Sequence, residues 1–315
     1  MIAPGLAAGL ATLLGAAPVS VDAVPFPGLG EGGRTVGCAV LRSGLTLSSD
    51  AVGFGGYSDL SVEGDRALLV SDGGTRLTLA LSVDADGLIR DVAAADTAPI
   101  RDAEGAALTK GTGDAEGLAS LGSTYLVSVE GTDRLARLAD DRLGHEALAP
   151  PEDEPVLGHN SGYEAVALLP DGRVLIVSEG LDADGLALVR QGQLGQPLAS
   201  WPLSRYRPAP GFNVTSARVD PRTGDLFVLE RAYSLWRGPR MRIARVPSER
   251  LDEPVLAGRE VTRMGWREGI DNMEGLDLAR MPDGSLRLYL VSDDNYSGAQ
   301  RTVLLTLALA DGCEG

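Results

Sequence analysis

The chain has 315 residues, of which 28 are basic and 44 acidic, so its formal net charge is −16. Apolar residues make up 44% of the sequence, which is enough for a sizeable core in one large domain or two ordinary ones. The acidic balance argues against nucleic acid and anionic membrane surfaces as partners, because both are bound through basic patches. We therefore expect a soluble protein or one that binds cations.

The N-terminus carries a short apolar run from Ala3 to Ala17, followed by small residues up to Ala23. This pattern resembles the apolar region and cleavage site of a secretory signal, and the run is too short for a membrane-spanning helix. No Lys or Arg precedes the run, and a buried N-terminal segment is the alternative. We expect residues 1–23 to be a signal peptide and residues 24–315 to form one domain of a periplasmic or secreted protein.

One sequence motif recurs along the rest of the chain: a strand, a tight turn, and a second strand that ends in an acid. Its clearest copy runs from Asn160 to Gly180 and turns at Pro170-Asp171-Gly172. The copies lie 58, 48, 52 and 58 residues apart. Such an interval holds about four short strands, which is typical of a β-propeller blade. The five copies are marked by Ser58, Glu116, Glu164, Ser216 and Glu274.

The repeat predicts an all-β fold, a single β-propeller of five blades, with six possible if a long interval hides an extra hairpin. The fifth interval ends after its third strand, which stops at Leu309. An N-terminal strand near residues 37–47 can supply the missing fourth strand by pairing antiparallel with it. That closure would place Cys38 beside Cys313, and it predicts a disulfide with a loop-closure contribution of roughly 4–5 kcal/mol.

In a propeller the first strand of each blade lines the channel, and its start lies at the same end as the end of the second strand. The repeat therefore predicts one acidic mouth. An inner row comes from the first strands: Glu116, Glu164 and Glu274. A second row comes from the ends of the second strands: Asp72, Glu130, Glu179, Glu230 and Asp293. Guanidinium groups begin several third strands: Arg76, Arg134, Arg231 and Arg301.

Like charges in such rows repel one another unless something neutralises them. Calcium takes six to eight oxygen ligands, and the mouth offers many, so the pattern predicts a calcium site formed by the two acidic rows. The alternative is that acid–Arg pairs only join the blades, which we favour for the second row alone. His145 and His159 are the only histidines, which disfavours zinc; His159 is a candidate substrate contact.

Several stretches resemble a known family, the phytase-like domain described as "esterase-like activity of phytase". The matching stretches are residues 114–118, 160–168, 272–276 and 291–302. The family is similar to calcium-dependent propeller phytases, and the resemblance implies that acids at the mouth hold calcium, which binds phosphate and activates water. The sequence departs from those enzymes in one respect that bears on substrate: Lys110 is the only lysine, so arginines would have to bind the phosphate.

We therefore expect a monomeric, calcium-dependent hydrolase of small-molecule phosphate or other esters, which neither binds nucleic acid nor inserts into a membrane. Arg76, Arg134 and Arg301 would stabilise the developing charge, beside His159. Two alternatives remain: a non-catalytic periplasmic propeller that binds a ligand or protein, and a calcium-dependent propeller of the lactonase type. Inner glutamates that are all paired to arginines would favour the non-catalytic propeller.

Overall fold

The computed structural model describes residues 17–26, 29, 32–110, 112–130, 134–144, 162–310 and 313. The five repeats form five antiparallel blades, so the predicted five-bladed propeller is confirmed. Three short 3₁₀ turns are the helical elements of these residues: Leu198–Ser200, Ser248–Arg250 and Trp266–Glu268. None of the helical segments described is long and apolar enough to cross a membrane.

Four N-terminal strands precede the first complete blade: β1 (Ala17–Val19), β2 (Asp22–Pro25), β3 (Arg34–Val36) and β4 (Ala39–Ser48). Blade 1 contains β5 (Tyr57–Glu63), β6 (Arg66–Ser71), β7 (Thr75–Val83) and β8 (Ile89–Pro99). Blade 2 contains β9 (Asp114–Ser120), β10 (Tyr125–Glu130), β11 (Arg134–Ala139) and β12 (Arg142–Leu143). Blade 3 contains β13 (Tyr163–Leu168), β14 (Val174–Leu181), β15 (Ala187–Gly192) and β16 (Leu203–Tyr206).

Blade 4 contains β17 (Asn213–Val219), β18 (Leu226–Ser234), β19 (Gly238–Val246) and, as its outer strand, β21 (Arg259–Gly265). Between β19 and β21 the chain adds β20 (Val255–Leu256), which pairs in parallel with β16 of blade 3. Blade 5 contains β22 (Asn272–Arg280), β23 (Leu286–Asp293) and β24 (Thr302–Leu309), and β4 completes it from the other end of the chain.

The ring closes as the sequence predicts. β4 pairs antiparallel with β24, from Leu47 opposite Thr302 to Ala39 opposite Leu309. This register places the two cysteines together, and Cys38 and Cys313 form a disulfide with a Cα–Cα distance of 5.6 Å. The bond spans a sequence separation of 275 residues, so it ties the last blade to the start of the domain.

The N-terminal segment makes a second connection between blade 1 and blade 5 where the ring closes. β1 pairs with β8 at the outer edge of blade 1, whereas β2 pairs with β4 at the outer edge of blade 5. The expected leader boundary at Ala23 falls inside β2, so a leader ending there would remove β1 and part of β2. Residues 1–16 lie outside the described residues, and the signal peptide stays a prediction.

The core is a ring of apolar clusters between neighbouring blades. Side chains from adjacent blades meet in each of five clusters, for example Leu229 of blade 4 with Leu276 of blade 5, or Leu60 of blade 1 with Val291 of blade 5. Alternating strand residues face these interfaces because successive side chains of a strand point to opposite faces of the sheet. Burial of this apolar surface holds the blades face to face.

The axis of the ring is polar. Asp59, fully buried in blade 1, accepts hydrogen bonds from the backbone N–H of Leu118 in blade 2 at 2.7 Å and from Ser216 Oγ in blade 4 at 3.1 Å. Arg218 Nη2, also from blade 4, donates to Asp59 Oδ2 at 2.8 Å. Burial raises the pKa of Asp59 to about 6, although Arg218 opposes the shift.

Arg218 extends this contact to the two remaining blades. Its Nη1 donates to the carbonyl oxygen of Val166 in blade 3 at 3.2 Å, and its Nε lies 3.3 Å from Asp277 Oδ1 in blade 5. Asp277 in turn accepts a hydrogen bond from the backbone N–H of Val62 in blade 1. We call Asp59, Arg218 and Asp277 the axial cluster, and it contacts all five blades.

We expect the Cys38→Ser/Cys313→Ser double variant to lose about 2–5 kcal/mol of unfolding free energy, because the disulfide restricts nearly the whole unfolded chain. Urea unfolding followed by circular dichroism measures the loss. Reduction of the wild-type protein should lower its stability to that of the variant. Equal stability of the oxidised wild type and the variant would contradict the closing role.

We expect Arg218→Met to cost about 3–5 kcal/mol at pH 7, because it leaves two buried carboxylates without their shared cation. The cost should be smaller near pH 4, where protonation removes the uncompensated charge of Asp59 and Asp277. Unfolding at both pH values tests this. Arg250→Met, which breaks an exposed pair with Glu253, is the control and should leave the midpoint unchanged.

Candidate functional site

The inner row lies at β-bulges. In three blades the register between the first and second strands skips one residue, which is Ser58, Glu164 or Glu274. In blade 2 the skip includes Glu116. A bulge bends the strand and redirects a side chain. In blade 4 the skipped residue is Thr215, so Ser216, which marks the fourth copy of the repeat in the sequence, lies one residue after the position that corresponds to the inner glutamates.

A glycine follows two of the inner glutamates because the first strands approach each other closely around the axis. A Cβ on Gly117 would lie 2.3 Å from the carbonyl oxygen of Glu164 in the next blade. A Cβ on Gly275 would lie 2.8 Å from the Cα of Asp59 in blade 1. The Glu-Gly pairs of the repeat therefore combine an acid at the mouth with room for the neighbouring blade.

Arg231 of blade 4 joins three blades across the mouth. Its Nη2 lies 2.9 Å from Glu179 Oε1 in blade 3, and its Nη1 lies 2.9 Å from Glu274 Oε1 in blade 5. The same Nη1 donates to Asn272 Oδ1 at 2.9 Å, and Asn272 Nδ2 donates back to Glu274 Oε1. Two acids predicted as metal ligands are thus bridged by a guanidinium.

The carboxylates around Arg231 form one electrostatic group. Burial raises the pKa of Glu274 well above its usual range; the charges of Asp293, Glu116 and Glu179 raise it further, while Arg231 opposes the shift. Negative charge at this end of the channel is therefore only partly neutralised by the bridging arginine.

A second cation reaches the mouth from blade 2. Lys110, the only lysine, pairs through Nζ with Asp72 Oδ2, and its pKa is raised chiefly by that hydrogen bond, with Asp114 and Asp293 contributing. Asp72 Oδ1 is buried and accepts no hydrogen bond from any described residue. Sequence reasoning assigned Lys110 no role, although a sole lysine four residues before the Asp114 motif was a usable signal.

Asp293 lies between these charges. Burial raises its pKa to about 6, and repulsion from Asp72 and Asp294 adds to the shift, whereas a hydrogen bond from the backbone N–H of Asn295 opposes it. A carboxyl group with this pKa exchanges its proton close to neutral pH.

A phenol stands beside Asp72. Tyr296 Oη lies 2.7 Å from Ser71 Oγ, and the pKa of Tyr296 is raised by burial. Its backbone has a φ of 49° and that of Asn295 a φ of 50°, a left-handed turn that is uncommon outside glycine. Asp294 Oδ1 holds this turn by accepting hydrogen bonds from the N–H groups of Gly56 and Tyr296, each at 3.0 Å.

Several predicted residues lie away from this group. Glu230 is fully buried and accepts hydrogen bonds from Tyr206 Oη of blade 3 at 2.5 Å and from Arg242 of blade 4, so it links these two blades. Arg76 is buried, donates to Thr78 Oγ1 and has Asp141 as its strongest charged neighbour. Arg301 pairs with Asp271 and the carbonyl oxygen of Gly269.

The remaining predicted residues have no described side chain. Glu130 and Arg134 are described as backbone only, at the ends of β10 and β11. The candidate contact His159 lies outside the described residues, as does His145.

A calcium site requires several oxygen ligands arranged around one point. Within the described ranges, no three Asp, Glu, His or Cys side chains are placed to hold a metal ion together as they stand. The chemistry nevertheless fits a hard cation, since the donors are carboxylate oxygens and Asp72 Oδ1 is buried without a described donor.

Fold and site together define a five-bladed β-propeller with an acidic mouth bridged by arginine and lysine. The chain belongs to the phytase-like family described as "esterase-like activity of phytase", which matches residues 52–296. No curated protein matches the sequence.

One solved structure is similar in fold to this chain with a TM-score above 0.5. A thermostable family-43 glycoside hydrolase matches with a TM-score of 0.51 and 13% identity over 84% of this chain and 93% of its own. The glutaminyl cyclase of Myxococcus xanthus matches with a TM-score of 0.46 and 10% identity over 88% of this chain and 100% of its own. At 13% identity the match to the glycoside hydrolase shows similarity of fold alone.

We expect Asp293→Asn to become more stable relative to the wild type as pH rises from 4 to 7. Because the native state of the wild type binds the Asp293 proton more tightly than the unfolded state does, protonation of Asp293 stabilises the wild type below about pH 4. That stabilisation is lost as pH rises through about 6, whereas asparagine does not titrate. Urea unfolding in EDTA at several pH values measures the difference. The control Asp171→Asn, whose parent carboxyl has a lowered pKa, should show no such rise. Parallel curves for Asp293→Asn and the wild type would contradict the assignment.

Proposed function

We propose that the protein is an exported, calcium-dependent hydrolase of phosphate or other esters that acts at the propeller mouth. The observation that carries the proposal is the group of carboxylates that the repeat brings together at one end of the propeller, in a chain of the phytase-like family. Among the described contacts, Arg231 pairs with Glu179 and Glu274, and Lys110 pairs with Asp72. The acids are Asp72, Glu116, Glu164, Glu179, Glu274 and Asp293.

The acids that would hold the ion are Asp72, Asp293 and Glu274, together with Glu116 and Glu164 of the inner row. When bound, calcium would supply positive charge that polarises an ester and lowers the pKa of water. Because Arg231 and Lys110 now occupy carboxylate oxygens, binding requires these side chains to exchange partners.

The residues of the mouth supply the other functions of a hydrolase. Lys110 has a side chain that is 67% exposed, so its ammonium group can reach an anionic substrate oxygen. Arg231 offers a planar fork suited to phosphate or carboxylate. Asp293, with its pKa near 6, can accept or donate a proton at neutral pH. Tyr296 places a hydroxyl donor beside them.

The disulfide supports export. A structural disulfide forms and persists in oxidising compartments such as the periplasm or the extracellular space. Cys38 and Cys313 are both used in that bond, and no free cysteine is present among the described residues. The proposed location therefore matches the chemistry of the ring closure.

One observation favours the non-catalytic alternative. Arg231 pairs with Glu274 of the inner row and with Glu179, which joins three blades in the way a scaffold requires. If these pairs persist in solution, the mouth would bind a ligand or protein without turning it over. A lactonase-type activity differs from the main proposal in its substrate, so hydrolysis of a lactone but not of the phosphate esters would identify it.

We expect the purified protein to hydrolyse at least one of phytate, an aryl phosphate, a carboxylic ester and a lactone, with activity present in calcium and lost in EDTA. Asp293→Asn and Glu274→Gln should lower the rate roughly 100-fold, because each removes a carboxylate from the mouth. Glu253→Gln, whose parent carboxylate forms an exposed pair with Arg250, is the matched control and should keep full activity.

The result that would overturn the proposal is the absence of hydrolysis for every substrate in calcium. A melting temperature that EDTA still lowers would then indicate structural calcium and a binding propeller. Isothermal titration of calcium into the wild type and Glu164→Gln separates binding from turnover, since unchanged affinity would remove Glu164 from the proposed site.

A further inference from the structure

Blade 4 carries an apolar protrusion beside the mouth. Its middle hairpin continues past Glu230 to the pair Ser234–Gly238, so the tip residues 235–237 extend beyond the point where the acidic row lies. Leu235 is 87% exposed and Trp236 is 96% exposed at this tip. Large apolar side chains with so much exposure normally face a partner when they are grouped.

A second indole stands next to the hairpin. Trp266, in the 3₁₀ turn after β21, is 62% exposed, and a Cβ on Gly238 would lie 3.7 Å from its Cβ. With Tyr233, these residues account for four of the eight exposed large hydrophobic residues in the described part of the chain. The exposed apolar surface is therefore concentrated at one place on one blade.

Arginines surround this apolar surface. Arg237, Arg240 and Arg267 form no ion pair with any residue that the structure describes, and Arg237 and Arg267 are exposed. The guanidinium of Arg267 lies 5.6 Å from the Trp266 ring, and Arg240 lies over the Phe212 ring at 5.3 Å. We call Leu235, Trp236, Trp266 and these three arginines the blade 4 patch. It is locally cationic although the chain has a net charge of −16.

We propose that the blade 4 patch docks the protein on an anionic lipid bilayer surface. Indole rings favour the interface between water and acyl chains, and a leucine at a protruding tip gains free energy there. Unpaired arginines attract anionic headgroups over short range. Charges more than about 10 Å from the bilayer are screened at 0.1 M salt, so distant acidic residues contribute little to this contact, whereas Glu268 in the same turn and the acids of the mouth oppose the arginines.

Other partners fit the patch less well. A sugar ring would stack on an indole but would leave Leu235 in water, and an acidic peptide would pair with the arginines without requiring an apolar tip. The inference rests on the patch and not on the proposed hydrolase activity. Docking would turn the mouth end of the propeller, on which the patch lies, toward the bilayer.

Vesicle binding tests the proposal directly. The full chain is mixed at 0.1 M salt, in EDTA, with vesicles of phosphatidylcholine containing phosphatidylglycerol, or of phosphatidylcholine alone, and sedimented. Tryptophan emission is recorded in parallel, because Trp236 and Trp266 are exposed whereas the third tryptophan, Trp201, is buried. We expect co-sedimentation with the anionic vesicles and a blue shift of the emission.

Two variants and two matched controls make the test specific. Leu235→Ser/Trp236→Ser should abolish co-sedimentation, and Arg237→Gln/Arg267→Gln should weaken partitioning roughly thirtyfold. Val52→Ser removes an exposed apolar side chain elsewhere, and Arg259→Gln removes an exposed arginine from the opposite end of β21; both should bind as the wild type does.

Absence of binding to anionic vesicles, or equal binding by the wild type and the Leu235→Ser/Trp236→Ser variant, would overturn the proposal. A dimer of the wild type that this variant converts to monomer, without vesicle binding, would identify a second copy as the occupant instead. Binding of polyglutamate without binding of vesicles would likewise identify an acidic chain. Unchanged thermal unfolding of the variants ensures that any loss reflects the surface and not the fold.

Discussion

The axial cluster is the contact on which the rest of the structure depends. Five first strands converge on the channel, and Asp59, Arg218 and Asp277 fill it with hydrogen bonds to every blade. A buried charge is stable only when it is paired and hydrogen-bonded, so this cluster requires the blades to keep their relative positions. The apolar clusters between blades supply the stabilisation, and the disulfide at Cys38 and Cys313 holds the closure.

The mouth follows from the same convergence. Each first strand starts at the same end of the channel, so acids at corresponding repeat positions meet whatever their separation in sequence. Arg231 and Lys110 neutralise part of this charge, while burial, with a smaller contribution from neighbouring carboxylates, raises the pKa values of Glu274 and Asp293. A carboxyl group whose pKa is raised toward neutral pH is suited to proton transfer, whereas the pairs of Arg231 join blades 3, 4 and 5.

Sequence reasoning identified the inner glutamates and the second acidic row as features of the repeat, but it could not assign each member to the mouth. Glu230 fits the repeat and yet turns to Tyr206 and Arg242, because a strand position does not determine where a side chain finds its partner. Lys110 and Tyr296 lie in loops outside the repeat and were therefore missed. The one-residue shift at Thr215 arose because a bulge changes the register without leaving a mark in the sequence pattern.

The sequence by itself favoured five blades while leaving six open, and it predicted the strand that closes the ring and the disulfide, because these depend on spacing along the chain and on the period of strands. Only the tertiary structure decided which charges meet. The axial cluster, the bridge through Arg231 and the blade 4 patch all join residues from separate blades or loops, and their distances depend on how the sheets pack. The patch shows this most clearly, since a chain that is acidic overall still presents a cationic, apolar surface where folding brings a few side chains together.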